Sequence, residues 1–197
     1  MRTLALPLLS TILAATPYGC GARDTAPPAS STIRVVDLEG RMVDPFELAD
    51  ASATVFVFTR TDCPISNRYA PEIRRLHERF EPRNVVFYLV YPDPRESADV
   101  IRKHLKEYGY KCRALRDPQH ALVKLTGATI TPEAAIFAGP AELIYRGRID
   151  DRYVALGQAR ATATTKDVEV ALEAALNGRP VPNPTTQAVG CIIADLR

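Results

Sequence analysis

Residues 53–59, Ala-Thr-Val-Phe-Val-Phe-Thr, are an unbroken β-branched and aromatic run, the pattern of a strand buried on both faces. Over 64–80 the period changes. Ile65, Tyr69, Ile73, Leu76 and Phe80 recur every three or four positions, with Arg74, Arg75, Glu78 and Arg79 between them, which predicts one amphipathic helix across the whole stretch. A second apolar run at 84–91 stops at Pro92 and Pro94 and reads as another buried strand. Residues 96–108 carry a stripe of Val100, Ile101, Leu105 and Tyr108 and close on Gly109, so a second helix with a glycine C-terminal cap is expected.

Shorter signals complete the order. Residues 33–38 and 41–48 predict a small β element around Gly40, 111–115 a strand, and 119–125 a short helix before Gly127. The apolar stretches 134–138 and 142–149 are joined by Gly139-Pro140 and predict an antiparallel hairpin. A last helix is expected over 166–176, with Val168, Leu172, Ala175 and Leu176 inward and Gly178 beyond its end. The order β-α-β-α-(β-α)-β-β-α predicts one α/β domain over 33–178. A Pro-rich tail, 179–197, follows; its Arg-Pro-Val-Pro-Asn-Pro start cannot be helix, and Cys191 lies in what reads as an unstructured, mobile segment.

Composition narrows the function classes. The chain has 197 residues, 46% hydrophobic, which suits one core but is too apolar for disorder. A net charge of +2 with no basic block gives no electrostatic basis for a nucleic-acid partner. Four cysteines are too few to build a disulfide scaffold and enough for a redox or metal site. Residues 1–22, one Arg ahead of a Leu/Ala-rich run, read as a secretory signal, too short to span a bilayer. Gly19-Cys20-Gly21 is similar to a bacterial lipoprotein junction, although Pro17 stands where Leu is usual; cleavage near Ala22 is the alternative. Residues 23–32 read as a linker. These features point to the cell envelope, either periplasmic or attached to the membrane through a lipidated Cys20.

The segment 58–67, Phe-Thr-Arg-Thr-Asp-Cys-Pro-Ile-Ser-Asn, carries the chemistry. Cys63 falls between a buried strand and a helix, with Pro64 at the first helical position, where its missing N–H costs nothing. Amides at the helix start favour a thiolate, and Arg60 stands ready to add to this. A thiolate is the nucleophile of disulfide exchange.

These residues and the order of elements resemble the thioredoxin superfamily, in its redoxin branch of alkyl hydroperoxide reductase and thiol-specific antioxidant-like proteins, here with the motif Cys63-Pro64-Ile65-Ser66. The resemblance implies a thioredoxin fold, a central mixed sheet flanked by helices with an N-terminal β extension. It also implies that Thr131-Pro132 is a cis peptide facing the nucleophile, with the Thr131 backbone offered to substrate. The departures are informative. Ser66 stands where thioredoxins carry their second Cys; it cannot resolve a mixed disulfide but can donate to the Cys63 thiolate. Arg60 stands where peroxiredoxins place Thr or Ser, which argues against peroxidase activity. The motif therefore suits a reaction through the single thiol of Cys63 with an external thiol, or one resolved by a distant Cys. Cys191 is the candidate for that distant Cys; a structural disulfide from Cys191 to Cys112, or a tail simply packed on the domain, are the alternatives, and Cys112 itself reads as a core position.

The expected function is an exported thiol-disulfide oxidoreductase acting through Cys63 on a protein or small thiol or disulfide, without cofactor or bound metal. Thiol-dependent peroxide reduction is one alternative. A Cu(I) carrier or envelope assembly factor using Cys63 and Cys191, or recruiting His120, is another. His77 and His104 read as helix-edge residues, His120 as the start of a short helix, Asp150-Asp151 as a solvated turn and Glu133 as a loop acid.

Overall fold

Strand β3 (Ala53–Phe58) is buried at every position and lies between β4 (Val85–Tyr91), to which it is parallel, and β7 (Glu133–Ala138), to which it is antiparallel. The computed structural model that shows this describes residues 33–47, 50–140 and 142–194. The signal at 1–22, Cys20 and the linker at 23–32 lie outside the described residues. Beyond β4 come β5 (Arg113–Arg116), parallel to it, then β1 (Val35–Asp37) and β2 (Met42–Val43), each antiparallel to its neighbour. On the other side β8 (Glu142–Gly147) pairs antiparallel with β7 through the expected hairpin. The sheet order is β2-β1-β5-β4-β3-β7-β8.

Alternation along these strands divides the core in two. Val55, Val57, Phe87, Leu89 and Ile136 face one layer, with Ile73, Leu76 and Phe80 of α2 (Ala70–Phe80), Ile101 of α3 (Ala98–Glu107), and Val168 and Leu172 of α5 (Asp167–Leu176). Phe56, Phe58, Tyr88, Val90 and Phe137 face the other, under Leu122 and Val123 of α4 (Ala121–Thr126). Each such large side chain contributes about 1.5–3 kcal/mol by leaving water. Ion pairs of Arg79 with Glu169 and Glu173 tie α2 to α5, and Arg83, in the turn that follows α2, also pairs with Glu173.

Three departures from the sequence expectation bear on function. The helix expected over 64–80 is two helices, α1 (Pro64–Arg68) and α2, with Tyr69 between them. Pro71 has no N–H with which to carry the ladder across that point, and the Tyr69 amide is shared between the carbonyls of Ile65 at 3.2 Å and Ser66 at 3.0 Å. In α3 the inward positions are Ile101 and His104, whereas Val100 is 47% exposed. His104 is no edge residue.

The third departure is the tail. Arg146 in β8 bonds both Pro184 O (2.9 Å) and the Thr186 amide (3.0 Å) through its backbone. The chain then returns to the sheet end, where β11 (Cys191–Ile192) pairs antiparallel with β6 (Ile130–Thr131), Cys191 opposite Thr131. Ala188 and Ile193 are buried. Far from mobile, the tail is docked, because its apolar positions are spaced to reach the core on either side of Cys191. A ribbon of β9 (Tyr153–Ala155) and β10 (Gln158–Ala159) was also unforeseen.

Candidate functional site

Cys63 is the last extended residue before α1, with φ −85° and ψ 112°, and Pro64 begins the helix as expected. The loop that presents it is fixed by backbone and buried side chains. The Thr59 amide continues the sheet to Val90 O at 2.9 Å. The Thr61 amide donates to Glu96 Oε1 at 2.6 Å, and Thr61 O accepts from Asn67 Nδ2 at 2.9 Å. That second bond orients the amide of Asn67, so its Oδ1 accepts from His104 Nε2 at 2.8 Å. His104 Nδ1 is then free to accept from the Tyr91 hydroxyl at 2.9 Å. A neutral imidazole meets both bonds, and burial lowers the pKa of His104 accordingly.

Glu96, Asn67, His104 and Tyr91 are the residues that sequence reasoning missed. The signals were faint: Asn67 lies one turn beyond Cys63, and His104 lies three residues after Ile101, on the inward face. Glu96 is a buried carboxyl whose pKa burial raises, against bonds from Thr61 that lower it.

Cys63 is only 1% exposed. Its sulfur lies 3.2 Å from Thr131 O and 2.6 Å from Cys191 Sγ. The Thr131-Pro132 peptide is cis, as the resemblance implied. Glu133, expected as a loop acid, is buried and holds the turn before this peptide, its Oε2 accepting from the amides of Thr129 (2.8 Å) and Ile130 (3.1 Å). The site is therefore built from three separate segments: the β3–α1 loop, the cis-peptide turn and the tail.

The two thiols are inequivalent. Burial pushes the Cys63 thiol up, but bonds from the Cys191 thiol, the Ser66 hydroxyl, and the amides of Ser66 and Cys191 together outweigh it and leave it lowered. Ser66 is wholly buried, and its hydroxyl lies near the Cys63 thiol without a partner at full hydrogen-bond geometry. Since α1 has five residues, these local donors rather than a long helix dipole do the work. Burial, and then the bond to Cys63 and its charge, push Cys191 up to about 12. Of the two thiols Cys63 is the easier to ionise; in the structure its thiol donates to Thr131 O, and the Cys191 thiol donates to Cys63 Sγ. Arg60, expected to act on Cys63, instead pairs with Asp62 at 2.8 Å and Asp93 at 3.3 Å, and its field acts on Cys191.

The other candidates are accounted for locally. Cys112 is a buried core thiol, pushed up to about 12 by burial, and Cys191 meets Cys63 rather than Cys112. His120 begins α4 in a left-handed conformation and bonds Pro92 O at 3.1 Å. Asp150 and Asp151 are buried, not a solvated turn: Asp150 accepts from the Tyr69 hydroxyl at 2.5 Å, and Asp151 from the amides of Thr164 and Thr165.

A family model described as the AhpC/TSA family matches residues 23–151. No curated protein matches the chain. Among solved structures, an uncharacterized conserved protein from Geobacillus kaustophilus is 28% identical with a TM-score of 0.72, over 82% of this chain and 87% of that one. A hypothetical protein from Sinorhizobium meliloti 1021 is 22% identical with a TM-score of 0.70, over 81% and 88%. A secreted Mycobacterium tuberculosis disulfide oxidoreductase homologous to E. coli DsbE is 14% identical with a TM-score of 0.51, over 75% and 96%. The fold is that of thioredoxin, and the matches together support a redox function.

Proposed function

Because the chain belongs to the AhpC/TSA family, we propose that it is a thiol-disulfide oxidoreductase with Cys63 as nucleophile and Cys191 as resolving thiol. The observation that carries the reading is the approach of the two sulfurs to 2.6 Å beside Thr131 O. The Cys63 thiolate attacks one sulfur of a substrate disulfide. That S–S bond breaks, the far half leaves as a thiolate, and a mixed disulfide to Cys63 remains. The negative neighbour that held the Cys191 proton is now gone, so Cys191 ionises more easily. It attacks Cys63 Sγ and expels the second substrate thiolate. The protein is left with a 63–191 disulfide, and two electrons have passed to the substrate; an external dithiol restores the starting state.

Ser66 and the neighbouring amides stabilise the Cys63 thiolate, and Thr131 and Pro132 line the approach to it. Arg60 sets the field on the Cys191 side. Family membership also supports a peroxide as oxidant of the same Cys63, in which case the sulfenic acid formed condenses with Cys191 and releases water. The signal-like residues 1–22 support an exported protein acting in the cell envelope, periplasmic or lipid-anchored. No described helix is long and apolar enough to cross a membrane.

Reduction of insulin disulfides and of hydrogen peroxide by the wild type, Cys63→Ser and Cys191→Ser tests this, with mass spectrometry of the oxidised protein. Turnover is expected to vanish in Cys63→Ser and the oxidised wild type to carry a 63–191 link. Turnover that survives Cys63→Ser, or a link through Cys112, refutes the mechanism.

A further inference from the structure

The tail occupies the strand edge beside Cys63, and its side chains show what that edge accommodates. Strand β11 runs antiparallel to β6 with Cys191 opposite Thr131 and Ile192 opposite Ile130. The Ile193 amide donates to Thr129 O at 2.9 Å, and the Thr131 hydroxyl donates to Cys191 O at 3.3 Å. Side chains then alternate. Ile193 is buried with Phe58, Val90 and Ala128, Ile192 is 71% exposed, and on the other side Ala188 is buried. Gly190 has the tightest constraint. A Cβ there would stand 2.1 Å from Thr131 O, 2.7 Å from Thr131 C and 3.1 Å from Ile130 Cγ2. The nearest obstacle is backbone, held in place by the Glu133 bonds to Thr129 and Ile130, and cannot move aside as a flexible side chain would.

We propose that the edge formed by Ile130 and Thr131 is a groove for an extended polypeptide carrying glycine, cysteine, any residue and then an aliphatic residue, and that residues 188–193 fill it at rest as an internal stand-in. The inference rests on the thiol-exchange reading of Cys63 and adds the substrate class. An incoming strand displaces β11 and lays its own cysteine, held in a disulfide, opposite Thr131. Cys63 thiolate attacks that sulfur, the disulfide breaks and its other half leaves as a thiolate. The tail then re-enters the same edge, and Cys191 attacks Cys63 Sγ and expels the polypeptide's thiolate. Because tail and substrate compete for one strand position, resolution and release are the same event. The glycine ahead of the reacting cysteine is the selective element, since main-chain pairing alone accepts any sequence.

The probes are hexapeptides, each with its cysteine in a mixed disulfide to thionitrobenzoate: Ala-Val-Gly-Cys-Ile-Ile, a form with Val in place of Gly, and one with Asp as the last residue. Each is offered to the reduced full-length wild type, with Ellman's reagent as the small disulfide lacking a peptide. The glycine peptide is expected to release thionitrobenzoate about tenfold faster than either altered peptide, the scale of an overpacked or unpaired contact. Gly190→Val, whose own tail cannot seat, is expected to react faster than wild type with Ellman's reagent; Ile193→Asp serves the same purpose if Gly190→Val fails to fold. Equal rates for the three peptides, with Ellman's reagent still reacting at Cys63, overturn the groove and leave the thiol-exchange reading standing. No reaction at Cys63 with Ellman's reagent, even with the tail unseated, overturns that reading and the groove with it.

Discussion

Truncating Ile193 to alanine asks whether docking of the tail controls access to Cys63. The side chain is 3% exposed and packed among Phe58, Val90, Leu122 and Ala128. Replacing a buried Ile by Ala costs about 2–5 kcal/mol, and a short two-residue strand that relaxes into the gap belongs near the lower figure. In the detached tail the side chain is already in water, so the cost falls on the docked state alone. About 2 kcal/mol multiplies the detached population about 30-fold. Cys63 is 1% exposed, so a reagent reaches it through the detached state and the alkylation rate follows that population. The assay is iodoacetamide labelling of the reduced protein at fixed pH, with the Cys63 peptide quantified by mass spectrometry. Ile192→Ala removes a side chain that is 71% exposed and is expected to change the rate by no more than about twofold, as for surface substitutions. A folded Ile193→Ala protein labelled at the wild-type rate, or an equal response to Ile192→Ala, refutes the reasoning.

The midpoint of Cys63 alkylation against pH should lie below that of a free thiol, and Cys191→Ala, by removing a donor to the thiolate, should raise it; an unchanged midpoint contradicts stabilisation by Cys191. Stability should respond to His104, whose native pKa burial lowers. As pH falls below the ordinary value near 6.5, only the unfolded chain takes up the proton, so stability is full above that pH and declines below it. Urea unfolding between pH 7.5 and 5.5, in wild type and His104→Gln, measures this, and equal slopes exclude His104 as the source. Glu133→Ala strips the acceptor from the Thr129 and Ile130 amides and should lower unfolding stability by about 2–3 kcal/mol, the cost of stranded donors to a charged acceptor. It should also slow closure of the 63–191 disulfide. A urea midpoint at the wild-type value counts against the staple.

Much of this protein was legible along the chain because its signals are local. The continuous run at 53–58 specifies a strand buried on both faces. Pro64 after Cys63 specifies a helix start, and Gly139-Pro140 specifies a hairpin. Each depends on neighbours in sequence, and each was found where expected. The break at Tyr69 was also written locally, in Pro71, but a helical period that runs through both segments hides a kink. His104 was opaque for another reason: a buried polar side chain is defined by partners, here Asn67 and Tyr91, that periodicity does not supply. The tail shows the limit most clearly. Its composition, Pro-rich and then Gly-Cys-Ile-Ile, marks an extended segment and a spare thiol, and nothing nearby gives Cys191 a place. That place depends on an open strand edge at 130–131, on a core gap for Ile193, and on the absence of a Cβ at Gly190 beside Thr131 O. The sequence determined which sulfur begins a helix and which residues accompany it. Only the tertiary structure decided that a second sulfur 128 residues away meets it, because contacts between distant segments depend on shape and packing that no local pattern encodes.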